Sequence, residues 1–295
     1  MDARVARMPD VMHSTLVPLD RAELLELSGP DALAFAHAQF ASDVAGLAVA
    51  AWQWSAWLNA QGRTHAFFAL LRPSIDHLLV WLPLGDAART KEALARFVLR
   101  AKVQLVVRRE WILGRTEAPM AHLAREKRVI EHAGGYAFAQ PGLVARTAWL
   151  GPAADPTIDA GEREAWRLAD IAAGLPWLEA VTQDEFVPQS LGLERLDAVR
   201  FDKGCYPGQE IAARLHFRGG NKHRLHRITL AGDGDAPPGL GIRSAAGKAG
   251  VVLYSAAIST QRRGALAVLA DASIDALPLQ SEHGHAIEVQ PAFDL

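Results

Sequence analysis

The sequence contains a single cysteine, Cys205, among 295 residues. One thiol excludes an intramolecular disulfide, and it excludes a zinc or iron–sulfur site built from several cysteines of this chain. Long hydrophobic runs are also missing, because no apolar stretch approaches the ~18 residues of a membrane span. Residues 1 to 13 carry charges but no apolar stretch, which predicts no secretory signal. Together these absences predict a reducing, cytoplasmic setting without a membrane segment.

An excess of either charge is missing too, since 31 Lys and Arg face 33 Asp and Glu for a net charge of −2. The whole molecule therefore has no electrostatic bias toward nucleic acid. One segment, 214–227, departs from this balance because it contains three histidines and no acid. Its five cations are Arg214, Arg218, Lys222, Arg224 and Arg227.

Two interpretations of segment 214–227 stay open. Clustered cations suit phosphate contacts, and Gly219-Gly220 could expose backbone N–H groups to an anion. Alternatively, the cations only keep an interdomain linker soluble. The histidines lack a metal-ligand pattern, and no Cys, Asp or Glu lies in the segment to complete a site, so no metal is predicted.

The surroundings of Cys205 also allow two interpretations. Gly204 and Pro207-Gly208 favour a tight turn, and a helix is expected to begin near Gln209. A neighbouring lysine, Lys203, and a helix N-terminus would both favour the thiolate form and make the cysteine reactive. A buried, structural cysteine is the alternative, and it is the commonest fate of a free thiol.

The remaining pattern predicts an α+β protein. Strands are expected over 24–27, 50–58, 64–71, 77–82 and 103–107, with a hairpin turn at 59–63. Helices are expected over 28–39, 86–100 and 161–173, the last one ended by Gly174 and Pro176. Beyond Arg224, short strands separated by Gly and Pro predict a small closed β domain.

Several segments, read in order, resemble the folate-binding YgfZ proteins: LSGPD at 27–31, LNAQGR at 58–63, AGLP at 173–176 and FVPQ at 186–189. The stretch KGCYPGQE at 203–210 matches that family's signature, K-G-C-Y-x-G-Q-E. Besides Cys205, the matching motif residues are Lys203, Gly204, Tyr206, Gly208, Gln209 and Glu210. The resemblance covers essentially the whole chain.

YgfZ proteins are similar to the T protein of the glycine cleavage system, a tetrahydrofolate-dependent aminomethyltransferase. The resemblance implies a T-protein-like fold, with two interleaved α+β subdomains in residues 1–222 and a C-terminal β-barrel in residues 223–295, around a central opening. It implies tetrahydrofolate or a derivative as cofactor. It also implies support of iron–sulfur enzymes, including a tRNA methylthiotransferase, with Cys205 as the functional thiol.

Three departures from the T protein matter for activity. The segment resembling residues 59–68 continues there into an acidic pair whose aspartate assists transfer, whereas this chain has no Asp or Glu between Asp43 and Asp76. A T-protein arginine falls on Asp170, and a second tryptophan of the bacterial YgfZ family falls on Ala22. Without the carboxylate, aminomethyl transfer loses its main electrostatic aid, so enzyme activity stays undecided.

The resemblance also nominates folate contacts. Trp166 matches a tryptophan linked to folate binding, and an indole face stacks well on a flat pterin ring. Arg63 and Arg214 are candidates for the carboxylates of the glutamate tail. Trp52 and Trp54 are expected on one face of their strand and Trp57 on the other, where they either pack in a core or line the opening.

Three functional hypotheses follow. The first is a folate-dependent accessory protein for iron–sulfur enzymes, including those that modify tRNA. The second is a folate-dependent one-carbon transferase or demethylase that takes its acid or base from elsewhere, such as Glu210 or Asp202. The third is a binding module for RNA or a protein partner that uses segment 214–227.

Overall fold

The structure is a computed structural model, and it describes residues 16–116, 127–142, 146–153, 156–232, 234–274 and 278–293. The helices are α1 (Ala32–Gln39), α2 (Ala87–Ala95), α3 (Ala160–Ala173), α4 (Gln209–Arg218) and α5 (Asp271–Ile274), with a 3-10 helix at Pro188–Leu191. The strands are β1 (Val17–Arg21), β2 (Leu24–Ser28), β3 (Ala51–Leu58), β4 (Thr64–Ser74), β5 (His77–Trp81), β6 (Gln104–Val107), β7 (Trp111–Thr116), β8 (Val129–His132), β9 (Gly135–Gln140), β10 (Arg146–Pro152), β11 (His223–Ala231), β12 (Gly241–Ser244), β13 (Gly247–Ser259), β14 (Arg262–Ala270), β15 (Leu279–Ser281) and β16 (Ala286–Ala292).

The first sheet is antiparallel and has the strand order β3-β4-β5-β2-β6. Helices α1 and α2 cover one of its faces, where Trp57 packs in a core with them. Trp52 and Trp54 lie in the core on the opposite face, 4.8 Å apart between ring centroids. The predicted division of the three tryptophans between two faces is confirmed, and all three are buried.

The second sheet is also antiparallel, with the order β1-β7-β10-β9-β8. The main core lies between the two sheets and is rich in aromatic rings. Trp81 of the first sheet contacts Phe138 of the second, with ring centroids 5.9 Å apart. Trp177 stacks on Phe67 at 4.9 Å. Edge and stacked contacts of this kind contribute beyond the area they bury, so they fix the sheets against each other.

The C-terminal strands form the predicted small barrel. Its order is β11-β14-β13-β12-β15-β16, and pairing of β16 with β11 closes it. Tyr254 of β13 donates a hydrogen bond to the Leu175 carbonyl at 2.8 Å, which ties the barrel to the turn after α3. Among the residues that the structure covers, no helix is both long and apolar enough to cross a membrane.

The helix predictions had two different outcomes. Helix α3 is confirmed: the Asp159 carboxylate accepts a hydrogen bond from the Glu162 N–H at its start, and Gly174 ends it with φ of +67°. The helix predicted over 86–100 is wrong beyond Ala95. The chain turns there, because the Phe97 N–H donates to the Leu94 carbonyl three residues back, and Phe97 is exposed.

Candidate functional site

Cys205 is exposed at the tip of the motif loop, which we define as residues 203–208. Gly208 has φ of +74° and stands immediately before α4, so the predicted turn at a helix start is confirmed. The alternative of a buried, structural cysteine is wrong. Of the other motif residues, Gln209 is half-buried and Glu210 is exposed, both in the first turn of α4.

Lys203 fixes the first half of the motif loop. Its Nζ donates to the carbonyls of His37 at 2.5 Å, Phe40 at 2.6 Å and Ser42 at 3.0 Å, at and beyond the C-terminal end of α1. A lysine has three N–H donors, and all three are used here. These hydrogen bonds cap the C-terminal end of α1, and the expectation that Lys203 favours the Cys205 thiolate stays a prediction. Burial lowers the pKa of Lys203 to about 8.

Tyr206 is a buried anchor of the same loop. Its hydroxyl donates to the Arg200 carbonyl at 2.9 Å, and its ring lies 5.1 Å from the Lys203 Nζ. Burial raises the pKa of the Tyr206 hydroxyl above its ordinary value. The Tyr206 side chain therefore stays uncharged and anchors the loop through its hydrogen bond to the Arg200 carbonyl.

Gly208 packs directly on the hairpin turn 59–63. A Cβ on Gly208 would lie 2.3 Å from the Asn59 carbonyl oxygen and 2.8 Å from the Gly62 Cα. A Cβ on Gly62 would in turn meet the Ile211 Cβ at 2.7 Å. Two glycines thus allow the hairpin and the motif loop to approach closely, which explains why both sequence segments carry a glycine.

A carboxylate from a distant part of the chain lies beside the acid-free stretch. The Asp184 carboxylate accepts from the Asn59 amide at 2.9 Å and lies 2.9 Å from the His65 Nδ1. Asp184 adopts φ of +61°, a conformation that non-glycine residues rarely take. The sequence has no acid between Asp43 and Asp76, but folding brings the Asp184 carboxylate to this segment. The sequence separation of 119 residues between His65 and Asp184 hid this contact.

The two carboxylates proposed from sequence as alternative acids or bases differ in their environment. Asp202 forms an exposed ion pair with Arg200 at 2.6 Å, which lowers the pKa of the Asp202 carboxyl. Glu210 is exposed, and its carboxylate makes no hydrogen bond or ion pair with any residue that the structure describes. Neither has the burial that would adapt a carboxylate for proton transfer near neutral pH.

A pocket of about 500 Å³, including its open mouth, lies where the two sheets and α3 meet. Trp81, Trp166 and Trp177 contribute aromatic walls, and Arg21, Arg163 and Arg167 contribute cations. Its other lining residues include Leu19, Leu113 and Asp170. Ala22 is buried between two lining residues, Arg21 and Glu23.

The pocket separates the sequence-predicted site residues. Trp166 lines it, whereas Cys205, Arg63 and Arg214 do not. Arg63 is exposed and donates to the Glu185 carbonyl, and Arg214 is exposed on α4. Trp52, Trp54 and Trp57 also stay in the cores and do not line the pocket. The predicted site residues therefore lie apart: Trp166 lines the internal pocket, whereas Cys205 lies on the exposed motif loop.

Trp166 is held by a buried ion pair. The Arg146 guanidinium lies 4.5 Å from the Trp166 ring centroid, donates to the Trp166 carbonyl at 3.0 Å and pairs with Asp170. Asp170 also accepts from the Trp177 indole N–H at 2.9 Å. Burial raises the pKa of the Asp170 carboxyl, and Arg146 opposes that effect. One carboxylate and one guanidinium therefore orient two of the pocket tryptophans.

The pocket lining also contains donors without acceptors. The Trp166 indole Nε1 and the Arg163 Nε are buried, and neither has a hydrogen-bond partner in the described parts of the chain. An unsatisfied buried donor costs about 1–3 kcal/mol, so an acceptor is expected to satisfy it. Folate carries carbonyl, ring-nitrogen and carboxylate acceptors on a flat aromatic system, so these residues fit it chemically.

Segment 214–227 is mostly regular structure. It comprises the end of α4, residues 219–222 and the start of β11, so the linker interpretation is wrong for most of it. The Gly219 N–H donates to the Leu215 carbonyl and is therefore not free for an anion. Within the described ranges, no cluster of three or more His, Cys, Asp or Glu is arranged to hold a metal.

Comparisons with known proteins address the family and the fold. No family model matches the chain. The chain is 30% identical over 258 residues to the tRNA-modifying protein YgfZ of Klebsiella pneumoniae, which covers 80% of this chain and 76% of that protein. An uncharacterized protein of Haemophilus influenzae is 30% identical over 213 residues, 72% of each chain.

A solved structure shows the fold alone. The glycine cleavage system aminomethyltransferase T from Bartonella henselae matches with a TM-score of 0.65 at 15% identity, over 95% of this chain and 85% of that one. The predicted T-protein-like α+β fold is confirmed by this match. The motif KGCYPGQE, the T-protein-like fold and the extent of identity to the Klebsiella protein agree: the chain belongs to the YgfZ family.

Proposed function

We infer that the protein is a folate-binding accessory protein that supports iron–sulfur enzymes, including enzymes of tRNA modification. The observation that carries this proposal is the pocket between the two sheets, with Trp166 in its wall and unsatisfied donors in its lining. The link to tRNA modification is supported by the family, because relatives of the chain are named tRNA-modifying proteins. Residues 1–222 are proposed as the folate-binding part and 223–295 as the barrel domain.

The ligand proposed for the pocket is tetrahydrofolate or a derivative, which supplies a one-carbon carrier. Trp166 would stack on a flat ring of the ligand, since Arg146 holds the indole from its other side. Arg163 would donate to an acceptor of the ligand through its unsatisfied Nε. Arg63 and Arg214, nominated from sequence for the glutamate tail, would require a tail that extends beyond the described pocket.

Cys205 is proposed as the functional thiol. Lys203 and Tyr206 anchor the loop while the Cys205 side chain stays exposed, so the thiol is presented from a fixed support. Thiols are ligands of iron–sulfur clusters and partners in thiol exchange, and either chemistry suits an exposed thiol that meets a client enzyme. A cytoplasmic, reducing setting is part of the proposal because it keeps the thiol free.

One observation favours a second candidate, a folate-dependent one-carbon transferase. The Asn59–Asp184–His65 group returns a carboxylate to the hairpin from which the T-protein aspartate is missing. The Asp184 Oδ1 accepts a hydrogen bond from the Asn59 amide, and its Oδ2 lies beside the His65 Nδ1. Because both oxygens are engaged, the group is better explained as structural. A pure binding module that uses segment 214–227 is the third candidate.

Titration of tetrahydrofolate against the wild-type protein and Trp166→Ala tests the proposal. Loss of stacking and of buried ring area should weaken binding by roughly tenfold or more. Trp111→Ala is the matched control, because Trp111 is a half-buried tryptophan that stacks on Tyr136 outside the pocket. Equal affinities of the wild type and Trp166→Ala would show that the ligand does not bind at this pocket.

A further inference from the structure

Two exposed rings of the last turn of α4 and the half-buried Phe201 of the preceding loop form an aromatic platform, which we define as Phe201, His216 and Phe217. The rings of Phe201 and His216 stack at 4.4 Å with an interplanar angle of 25°. Phe217 meets the His216 ring edge-on at 4.7 Å and is 75% exposed. A phenylalanine so exposed costs hydrophobic free energy in water, so a flat partner for its face would be stabilising.

Unpaired cations flank the platform residues of α4 in sequence. Arg214, Arg218 and Lys222 are exposed and make no hydrogen bond or ion pair through their side chains with any described residue. In contrast, Arg200 is paired with Asp202, and Arg224 with Asp271. These three cations run from the middle of α4 to the residue before β11 and concentrate positive charge on a molecule of nearly balanced charge, with Glu210 as an acid on the same side of α4.

The groove beside the platform is open, has a volume of about 350 Å³, and is lined by both apolar and charged residues. Glu194 in its lining is held by His216 at 2.7 Å, and Asp202 by Arg200. Asp197 forms no ion pair with a described residue and adopts φ of +54°. Phosphates would be repelled from Asp197, whereas the exocyclic amino group of a nucleobase would donate to it.

We propose that this face of α4 binds unpaired nucleotides of an RNA, with a base stacked on Phe217 and phosphates contacted by Arg214, Arg218 and Lys222. The proposal rests on the proposed function, for which it names the surface that meets the RNA substrate of a client enzyme. Alternating aromatic and cationic side chains are the usual basis of single-strand binding, because every base has a face that stacks.

The position of the platform connects it to the motif loop. Glu210, Arg214, Phe217 and Arg218 recur at helical spacing and share the exposed side of α4. Eight residues of helix separate Gln209 from Phe217, which is about 12 Å. Cys205 lies just before the start of that helix. The platform and the motif loop therefore stand at opposite ends of α4, and an RNA bound to the platform would lie on the helix that follows the loop.

An acidic protein surface is the competing partner. It would use the three cations equally well, but it would leave the Phe217 face without a flat partner. Binding that depends on Phe217 therefore indicates RNA, whereas binding that does not depend on it indicates an acidic protein.

The test is fluorescence anisotropy with a labelled, unstructured single-stranded RNA of about 15 nucleotides, over a salt series of about 50 to 200 mM. Phe217→Ala should weaken binding by about fivefold to a hundredfold, as measured for loss of one stacked base. Arg214→Gln with Arg218→Gln should lower the steepness of the logarithmic salt dependence by roughly 1.4. The matched control is Arg96→Gln, Phe97→Ala and Arg100→Gln, which removes a similar exposed set after α2 and should bind like the wild type.

Three results would overturn the proposal. They are absence of RNA binding by the wild type, equal binding by wild type and Phe217→Ala, and equal losses in the control triple variant. Stronger binding of a polyglutamate probe that does not depend on Phe217 would assign the face to an acidic protein and would equally overturn it. Tetrahydrofolate titration of the same variants separates this failure from a failure of the proposed function, because Phe217 does not line the folate pocket.

Discussion

Cys205 is the single thiol of the chain, and its side chain is exposed. Its removal takes almost no volume from a core, so Cys205→Ala should fold and unfold like the wild type. We expect the variant to lose support of an iron–sulfur tRNA-modifying enzyme in cells that lack the native protein, measured as the modified tRNA fraction. Alkylation of the folded wild type should proceed without prior unfolding. A thiol that reacts only in denaturant, or an alanine variant that restores full modification, would contradict this prediction.

Replacement of Arg146, in contrast to that of Cys205, is expected to lower the stability of the fold. Arg146→Ala leaves the Asp170 carboxylate buried without its cation, which should lower the free energy of unfolding by about 3–5 kcal/mol at neutral pH. Burial raises the pKa of Asp170 in the folded variant above its unfolded value, so the folded state binds more protons in that window. The stability of the variant should therefore fall as pH rises and recover as pH falls.

Denaturant titrations at several pH values measure this effect. Combining Arg146→Ala with Asp170→Asn is the control, because the double variant has no buried charge to compensate. We expect the double variant to be less sensitive to pH than Arg146→Ala. A pH profile identical in the two variants would mean that Asp170 is not the titrating group.

At the scale of elements, the contact between the hairpin turn 59–63 and the motif loop depends on glycine. Gly208→Ala places a Cβ against the Asn59 carbonyl and the Gly62 backbone, whereas Gly134→Ala, at nearly the same φ, meets nothing within 4 Å. The difference in unfolding free energy between the two variants should be about 1–3 kcal/mol, because only the first adds a steric clash to the cost of positive φ. Equal costs would show that the close approach is not maintained in solution.

Elements were predictable from sequence where their ends carry local signals. Asp159 and Gly174 bound α3 by side-chain and backbone capping, which local sequence encodes. The end of α2 was not predictable, because Leu94 and Phe97 keep helical spacing although the chain turns and exposes Phe97. Contacts such as His65 with Asp184 were equally out of reach, since single-sequence periodicity carries no information on pairs 119 residues apart.

For the whole molecule, the T-protein-like fold raises the question of T-protein activity. We expect no aminomethyl transfer with the other glycine-cleavage components, because Asp184 is already engaged by Asn59 and His65. The measurement is methylenetetrahydrofolate formation, with an authentic T protein as positive control. Turnover by the wild type that disappears in Asp184→Asn would contradict the prediction and assign Asp184 the role of the missing carboxylate.

The family and the architecture were recognisable from sequence because short motifs repeat a family order, and the TM-score of 0.65 at 15% identity confirms the fold. The site was only partly recognisable. Cys205 follows from its motif, whereas the Arg146 support of Trp166 joins a strand to a helix and leaves no local signature. The sequence motifs lie at turns of the chain and predict those turns. The pocket, in contrast, forms where elements distant in sequence pack together.

The anchoring of the motif loop has a consequence for biosynthesis. The Lys203 ammonium reaches carbonyls 161 to 166 residues earlier in the chain. At about 5–20 residues per second, a ribosome needs on the order of 10 s between the synthesis of α1 and that of its lysine partner. The first sheet, made from residues 24–107, can assemble during this delay, but α1 must wait with its terminal carbonyls unpartnered. The motif loop can therefore take its final form only after at least 203 of the 295 residues have been made, so an ordered Cys205 loop follows synthesis of the whole first sheet.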